Sequence, residues 1–436
     1  MNRRNFLLTA GGAGLAAAVG VGTLTSCSSG GGDWDGQLRM LGWDFQPEMI
    51  QQLVGEWSEA EGTDVEVSII PNLGYSAALQ TRLRGGDATD LYYNFAYNSQ
   101  KFVDQGWAST LNDLPGADDL IADLFPSARG TYVNADGELI SVPYFSAVHM
   151  LHYNESMVAD AGFSSPPQTL QEMYDQSKAM KDQDIVSAPY VAYWVKEFCE
   201  EYLHTYLLNE GITAFDDDGN PVFADDPKTE GVFEWWQTMY TEGLAPSSVL
   251  NDDPGVLSNH MAQGDAAFFV LHHYFLTSIR DLEGPESANV QMAAIGGSNH
   301  TFQMGEVLQL GEVQNDEARA AAWELMKYYG WKSPEGEFTV SNAWASAGGL
   351  AAPYPGFFTD ENVQDSYPDY YDLSMLSDTF ETGSKVVAAR TLPWYPDFQA
   401  KVGDVIHALL LGQITPAETV SQLTEAATSA QEGGGL

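Results

Sequence analysis

Two histidine pairs are the first residues whose type and spacing could do chemistry. His149 and His152 lie three apart in VPYFSAVHMLHYNESM (142–157), and His272 and His273 are adjacent in AAFFVLHHYF. Imidazoles three apart share one face of a helix and can chelate a metal ion, but on a strand they point to opposite faces. Pro143 excludes a helix interior, and helical patterning resumes only after Asn154. We therefore predict an extended segment over 142–153, with structural histidines and no metal site.

Acidic residues offer a second candidate for ion binding. FDDDGNPVFADDP carries Asp216, Asp217, Asp218 and Asn220 in one short stretch. A calcium loop of the common type needs twelve residues and a closing glutamate, which this stretch lacks. A hairpin turn flanked by aromatic residues is the better interpretation.

Motifs that would indicate catalysis are missing from the sequence. G-x-S-x-G, H-E-x-x-H and a phosphate-binding loop do not occur in the chain. A glycoside hydrolase would need two positioned carboxylates, and no spacing in the sequence singles out such a pair. We therefore predict that the protein is not an enzyme and needs no cofactor, with a secreted glycoside hydrolase as the weaker alternative.

The first residues are typical of an export signal. Arg3 and Arg4 precede Phe6-Leu7-Leu8 and a Gly/Ala-rich stretch, the pattern of a twin-arginine signal. Leu24-Thr25-Ser26-Cys27 resembles a lipobox, so we predict a lipoprotein signal over 1–27 with Cys27 lipidated and a Ser/Gly tether over 28–32. A transmembrane anchor of roughly 20 apolar residues is the alternative. Cys199, the only other cysteine, then has no disulfide partner.

Composition limits the partners. The chain of 436 residues has 61 acidic and 18 basic residues, and its formal net charge is −43. Such a surface repels nucleic acid and anionic membranes. It suits solubility in concentrated salt, so we predict a salt-adapted source, with an ordinary acidic secreted protein as the alternative. The length after the signal predicts two domains.

The order of the predicted elements indicates an α/β fold. QLRMLGW, DVEVSII and DLYYNFAY are predicted strands, separated by helices that begin at Pro47 and Tyr75. This β-α-β-α-β order favours a largely parallel sheet. Further helices are predicted over 168–182, 197–210 and 227–242, over DEARAAAWELMKYYGW and at the end of the chain, and AAFFVLHH is a predicted strand.

Several segments in order resemble the family 1 extracellular solute-binding proteins, the receptors of ATP-driven sugar importers that include the maltose-binding type. They are GTDVEVSII, GGDATD before a strand, DGELISVPYF leading into HYNESMVADAGFSSPPQTLQEM, MAQGDAAFF, ARAAAWELMKYY and GQITPAETVSQLTEA. The resemblance spans residues 36–430. Thr89 replaces a proline of the family pattern, Leu170 stands where tryptophan is frequent, and MAAIGGSNH lacks a proline-rich motif.

The resemblance implies two α/β lobes with the ligand in the cleft between them. Lobe 1 would comprise 33–146 plus 308–331, and lobe 2 would comprise 152–302 plus 332–436. Residues 142–153 would then form the first crossing between the lobes.

Binding residues are expected at the carboxyl ends of strands, facing such a cleft. Sugars need flat aromatic faces for their C–H surface and planar polar groups for their hydroxyls. The candidates are Trp43, Asp44, Asn94, Tyr97, Asn98, Tyr193, Trp194, Tyr274, Trp394 and Tyr395. By its position after the "G-x-A-A-M"-like strand Tyr274 matches the family's stacking aromatic, and Trp344 is a weaker candidate. Trp57, Trp235, Trp236 and Trp323 lie on helix faces and are predicted core residues.

Together these features predict the substrate-binding component of an ABC importer. It would be a monomer, lipid-anchored outside the cell, that captures a carbohydrate (an oligosaccharide) and delivers it to a permease and, through it, to ATPase subunits. No arginine lies among the candidate aromatics in the sequence, which suits a neutral sugar. A cationic polyamine or another small solute remains the alternative ligand, because cation–π contacts need only aromatic faces.

Overall fold

The structure is a computed structural model that describes residues 34–71, 74–87, 89–216, 218–295, 298, 300–313 and 315–433. The predicted signal over 1–27, the tether and Cys27 lie outside these residues. Within the described part, no helix has the length and apolar character needed to cross a bilayer.

The described part of the chain contains nine strands in one mixed sheet, and seven of them follow in the order β2-β1-β3-β8-β4-β6-β5. β7 pairs with β4, and β9 pairs with β8. The strands are β1 Gln37–Trp43, β2 Asp64–Ile70, β3 Leu91–Phe95, β4 Val142–Asn154, β5 Tyr190–Ala192, β6 Phe268–His272, β7 Val290–Ala293, β8 Thr301–Leu310 and β9 Ser384–Lys385. β1 is parallel to β2 and β3, as predicted. β8 then pairs antiparallel with both β3 and β4, so the sheet is mixed rather than largely parallel.

Eighteen described helices surround the sheet. They are α1 Pro47–Glu61, α2 Tyr75–Arg84, α3 Ser99–Asp104, α4 Ala117–Asp123, α5 Arg129–Tyr132, α6 Glu155–Asp160, α7 Leu170–Asp182, α8 Cys199–Asn209, α9 Thr229–Thr241, α10 Pro254–Gln263, α11 Phe275–Asp281, α12 Asp316–Gly330, α13 Thr339–Gly348, α14 Pro355–Thr359, α15 Glu361–Ser366, α16 Leu373–Asp378, α17 Tyr395–Leu410 and α18 Pro416–Gly433.

Local sequence explains the long helices. In α1, Pro47 occupies the first turn, where its missing N–H costs nothing, and Gly62 ends the helix in the left-handed region at φ 70°. In α12, the Asn315 side chain accepts hydrogen bonds from the backbone N–H groups of Glu317 and Ala318. α1 and α12 each bury an apolar stripe, which confirms the predicted helices at these two positions.

β4 runs through the centre of the molecule. Its residues 142–148 pair with β8, and its residues 149–153 pair with β6. All but one of its thirteen residues are buried, which is typical of a strand covered on both faces. The predicted extended segment is thereby confirmed. This strand joins two groups of strands, one formed by β1, β2, β3 and β8 and the other by β5, β6 and β7.

The segment that follows α12 was not predicted from periodicity. α13 to α16 are short helices between prolines and aromatic residues, so none of them offers a long apolar repeat. Phe125 N–H donates to the carbonyl of Pro353, Ser127 donates to Phe380, and Tyr371 contacts Thr277. The segment therefore contacts elements of both expected lobes, and the lobe boundaries stay a prediction.

Buried tryptophans confirm the assignment of helix-face residues to the core. Trp57, Trp235, Trp236 and Trp323 are all buried. Cys199 is also buried and is a free thiol. The acidic stretch after Phe215 is a turn in which the Asp216 carboxylate accepts from the backbone N–H groups of Asp218 and Asn220.

Candidate functional site

A cavity of about 410 Å³ lies where the two strand groups meet. β3, β5 and β6 end beside it, and β8 passes along its wall. Its aromatic lining consists of Phe95, Tyr97, Tyr193, Phe198, Tyr274 and Phe275. Its polar lining consists of Glu197, Glu201, His272, Glu306, Arg390 and Gln399. The volume falls within the range of small-molecule sites.

Strand ends place three of the predicted tyrosines at this cavity. β3 ends at Phe95, and the 3₁₀ turn over 96–98 presents Tyr97. β5 ends one residue before Tyr193, and β6 ends two residues before Tyr274. Ligand sites at the carboxyl ends of strands are the general rule for open α/β sheets.

Stacked rings form one wall of the cavity. The Tyr274 ring lies 5.6 Å from the His272 ring, nearly parallel to it, and 4.8 Å from the Phe275 ring. Phe145 meets Tyr274 edge to face at 6.1 Å. Packing against these neighbours fixes the ring plane of Tyr274, so that a flat apolar face is available to a ligand.

Arg390 crosses the floor of the cavity and is held by two carboxylates. Its Nη2 lies 3.1 Å from Glu200 Oε2 and 3.6 Å from Glu201 Oε1. The guanidinium carbon lies 4.6 Å from the centre of the Tyr97 ring. The interpretation that no arginine accompanies the candidate aromatics is therefore wrong, because the chain brings Arg390 to Tyr97 from a distant segment.

Burial and neighbouring charges shift the pKa values of the three buried glutamates in different directions. Burial opposes ionisation of Glu200, but the Arg390 charge and hydrogen bonds from His204 and Tyr395 prevail, so the pKa of Glu200 is lowered to about 2. Burial raises the pKa of Glu201, although His272 and Arg390 oppose the shift. Burial also raises the pKa of Glu306 to about 8, despite a hydrogen bond from the Tyr144 hydroxyl.

The histidines occupy two different environments. His152 contacts the backbone carbonyls of Phe269 and His273 with its two ring nitrogens. His149 instead faces His272 across the β4–β6 pair, with ring centres 4.6 Å apart. Burial lowers the pKa of His149 and of His272 to about 3, and that of His152 to about 4. These histidines are neutral at neutral pH, and the two members of each sequence pair point apart as predicted for strands.

Seven predicted binding residues lie elsewhere. Trp43 is buried and stacks on the back of Phe95, 5.1 Å between ring centres, so it supports the cavity wall without lining it. Trp194 is fully buried and donates to the Tyr206 hydroxyl. Asn94 donates to the Gln309 side chain in the interior. Asp44 is exposed. Asn98, Trp394 and Tyr395 also lie outside the cavity lining.

Tyr395 lies close to the cavity although it does not line it. Its hydroxyl lies 2.5 Å from Glu200 Oε1 and 2.5 Å from His204 Nε2, behind the cavity floor. It therefore positions the carboxylate that holds Arg390. Trp344, the weaker candidate, is buried and stacks on Phe45.

Sequence reasoning missed Glu201, His272, Glu306 and Arg390. His272 ends a predicted strand, but the sequence suggests it only as one of two adjacent histidines that point apart. The other three do not follow a predicted strand, and 61 acidic residues hide any pair that matters. Glu306 lies in the middle of β8 and is buried, which is rare for a carboxylate, but β8 is not predicted as a strand and the sequence therefore gives no signal for it. Glu201 and Arg390 meet only through the tertiary fold.

A larger groove of about 530 Å³ lies beside Gln100, Thr131, Asn134 and Pro393. Its described lining contains no aromatic side chain. The smaller, aromatic-walled cavity is therefore the better candidate for binding an organic ligand.

Residues 46–330 match the sequence profile of the family described as bacterial extracellular solute-binding protein. This match spans well over half of the chain. The chain belongs to that family. The resemblance noted in the sequence is thereby confirmed.

Solved structures of solute-binding proteins share the fold. The maltose-bound MalE3 of T. maritima superposes with a TM-score of 0.75 at 16% identity, covering 90% of this chain and 99% of that one. The sugar-binding protein MalE of Xanthomonas citri gives 0.76 at 18% identity, with 91% and 98% covered. The cyclic alpha-maltosyl-1,6-maltose binding protein of Arthrobacter globiformis gives 0.74 at 16% identity, with 91% and 99% covered. This solute-binding protein therefore has their two-lobed α/β fold.

Proposed function

We propose that this solute-binding protein captures a neutral carbohydrate in the aromatic-walled cavity and delivers it to the permease of an ABC importer. The observation that carries the proposal is the wall of stacked rings around Tyr274, facing polar groups on the opposite side. Aromatic faces pack against the C–H surface of a sugar ring, and carboxyl and guanidinium groups hydrogen-bond to its hydroxyls. Similarly folded proteins whose bound or named ligands are maltose-type sugars support this ligand class.

The charge balance of the floor favours a neutral ligand. The Arg390 charge is offset by ionised Glu200, and Glu306, with its pKa at about 8, is protonated at neutral pH. A polyamine would need uncompensated carboxylates beside the rings. Glu201 shares Arg390 with Glu200, and burial raises its pKa, which disfavours its charge. Glu197, which is exposed at the rim, has no basic partner among the described contacts. One exposed acid is weak support for a cationic ligand.

Capture would involve closure of the two lobes. We place lobe 1 at 33–146 plus 308–331 and lobe 2 at 152–302 plus 332–436, with β4 as the first crossing. Lining residues come from both groups, Phe95 and Tyr97 from one and Tyr193 and Tyr274 from the other. A ligand that contacts both would stabilise the closed state by its differential affinity for that state. The permease and its ATPase subunits would then recognise the closed surface.

The remaining features of the proposal come from the sequence. Twin-arginine export, lipidation of Cys27 and anchoring to the outer face of the cell membrane would keep the receptor beside its permease. The charge of −43 supports a salt-adapted, monomeric protein that does not bind nucleic acid. No catalytic role is part of the proposal.

Thermal unfolding against a ligand panel tests the proposal. The panel contains maltose, maltotriose, monosaccharides, polyols and spermidine, each in molar salt. A neutral saccharide at about 100 times its dissociation constant should add roughly 2.7 kcal/mol to the free energy of unfolding. A shift with spermidine alone would support the role as a receptor but show that its ligand is a polyamine and not a carbohydrate. Saccharide hydrolysis in the same wells would contradict the non-catalytic role.

A further inference from the structure

Three buried side chains converge behind the aromatic wall. Glu201 Oε2 lies 3.7 Å from His149 Nε2 and 3.6 Å from His272 Nε2. All three atoms lie within 4.8 Å of one another. None of the three has a hydrogen-bond partner among the described residues, although all are buried. Buried polar atoms are rarely left without a partner, so this convergence calls for an explanation.

The tautomer of His149 is set by Thr205. The Thr205 hydroxyl donates its single hydrogen to the backbone carbonyl of Glu201, 2.8 Å away. It must therefore accept from His149 Nδ1, at 2.7 Å. In the neutral ring, Nε2 then carries a lone pair that points toward Glu201 and His272. A second partner that orients the imidazole in this way is typical of metal-binding histidines.

From this geometry we propose that His149, His272 and Glu201 bind one divalent transition-metal ion, with Zn²⁺ as the best fit. Two imidazole nitrogens and one carboxylate oxygen form a donor set that zinc accepts readily. Two ligand atoms at zinc-bond length in a tetrahedral site are about 3.3–3.4 Å apart. The observed 3.6 and 3.7 Å between Glu201 and the two histidines require a few tenths of an ångström of contraction. The two histidine nitrogens lie within 4.8 Å of each other, and rotation of the imidazole rings must supply any further approach.

The surrounding charges tolerate a cation at this point. Arg390 lies 3.6 Å from the other carboxylate oxygen of Glu201, and its own charge is paired with Glu200. Glu201 would therefore keep one oxygen for the arginine and offer the second to the ion. The site has three protein ligands, and Glu201 and His272 both line the cavity. A fourth position would thus face the cavity and accept water or a ligand hydroxyl.

The pairing of His149 with His272 cannot be predicted from either sequence segment alone. His149 and His152 point apart on their strand and cannot chelate one ion together, and the same holds for His272 and His273. The candidate pair instead joins one member of each, brought into register by the antiparallel pairing of His149 with His272.

Metal binding is tested on metal-depleted protein with Co²⁺ absorption spectroscopy and Zn²⁺ calorimetry. We expect one site per chain, with Co²⁺ displaced by Zn²⁺. H272Q and E201Q should weaken binding at least about 100-fold. T205V should weaken it by about 10–100-fold, the effect of losing an outer partner. H260Q is the matched control: His260 lies at the surface near Asp252 and Asp265, and its loss should leave the affinity unchanged.

Failure of this proposal is distinguishable from failure of carbohydrate binding, because no sugar is present in the titration. The absence of a one-to-one site, or a site that survives H272Q and disappears in H260Q, would overturn it. If H272Q and E201Q do not fold, anomalous diffraction from wild-type crystals soaked in Zn²⁺ decides. Density between the three side chains supports the site, and density only at the acidic surface overturns it.

Discussion

Tyr274 is the residue on which ligand recognition should depend most. Its ring is fixed between His272 and Phe275, so it presents a rigid face at little entropic cost on binding. Y274A should weaken saccharide binding at least tenfold, which corresponds to about 1.4 kcal/mol. Calorimetric titration measures this loss.

Tyr174 provides the matched control for that variant. It lies on α7, where its hydroxyl donates to Glu242 outside the cavity. Y174A should keep the wild-type affinity. Equal loss of affinity in both variants would indicate a general effect on folding and would remove Tyr274 from the proposed site.

Glu306 should make the stability of the protein depend on pH. Its folded-state pKa of about 8 lies above the usual value of 4.5 because the carboxyl is buried and the charge of Glu201 is nearby, although the hydrogen bond from Tyr144 opposes the shift. Between these two values the folded state holds a proton that the unfolded state has lost. The contribution of Glu306 to stability therefore falls as pH rises from about 4.5 to 8, by up to about 1.4 kcal/mol per pH unit.

E306Q isolates this contribution from those of other acids. The difference in free energy of unfolding between E306Q and wild type should shift in favour of the variant between pH 5 and pH 8 and level off above. Urea denaturation at a series of pH values measures it. A difference that does not change with pH would show that Glu306 is ionised throughout.

At the residue scale, the sequence predicted the tyrosines better than the charged groups. Tyr97, Tyr193 and Tyr274 follow strands, and strand ends meet at one edge whatever the details of packing. Glu201 lies on a helix and Arg390 in a short turn, and the distance between them depends on how α8 packs against the segment before α17. No local pattern encodes that distance.

The end of α12 packs closely against the start of the central strand β4, and this packing requires glycine at position 330. A Cβ placed on Gly330 would lie 2.6 Å from Val142 Cγ1 and 2.7 Å from the carbonyl oxygen of Pro143. The carbonyl belongs to the backbone and cannot rotate away. G330A should therefore destabilise the protein by about 1–3 kcal/mol, as overpacking does in cores.

Gly55 offers a matched comparison for G330A. It lies inside α1, and a Cβ there would meet no atom within 4 Å. G55A should be neutral or stabilising by up to about 1 kcal/mol, because alanine is the better helix former. Denaturant unfolding of both variants tests the pair, and similar stabilities would contradict the close packing of α12 on β4.

At the element scale, helices with strong apolar periodicity could be predicted from the sequence, and a strand with weak periodicity could not. α1, α7, α9 and α12 each carry a clear apolar stripe and were predicted near their observed bounds. β8 was not predicted as a strand. TFQMGEVLQL alternates polar and apolar residues only over its first four positions, and Gly305 and the apolar pair Val307-Leu308 interrupt the pattern. Its polar residues Glu306 and Gln309 are buried, so polarity does not mark the exposed face of this strand.

Charge dominates the behaviour of the whole molecule. A net charge of −43 on 436 residues produces self-repulsion that opposes the compact state. The Debye length shrinks from about 10 Å at 0.1 M salt to about 3 Å at 1 M. The melting temperature should therefore rise between 0.1 M and 1 M NaCl at pH 7.5.

Repeating the melts near the isoelectric point separates screening from general effects of salt. The sequence pI is about 4.1, so at pH 4.5 little repulsion remains to be screened. The salt-induced rise should shrink there. An equal rise at both pH values would mean that screening of the acidic surface is not its cause.

At the scale of the whole chain, the ordered set of motifs predicted the fold where single motifs could not. GGDATD and MAQGDAAFF are short and common patterns, but their order along the chain matched one family, and the profile match over 46–330 confirms it. The mixed strand order and the contacts of residues 339–378 with elements of both expected lobes arise from long-range pairing, which local periodicity does not encode.

The most direct test of carbohydrate capture is a crystal structure with the saccharide that gives the largest thermal shift. We predict a sugar ring packed on Tyr274 at about 3.5–4.0 Å, with hydroxyls within hydrogen-bond reach of Glu306 or Arg390. A saccharide bound instead in the larger groove beside Thr131 and Pro393, with the aromatic-walled cavity free of sugar, would contradict the account.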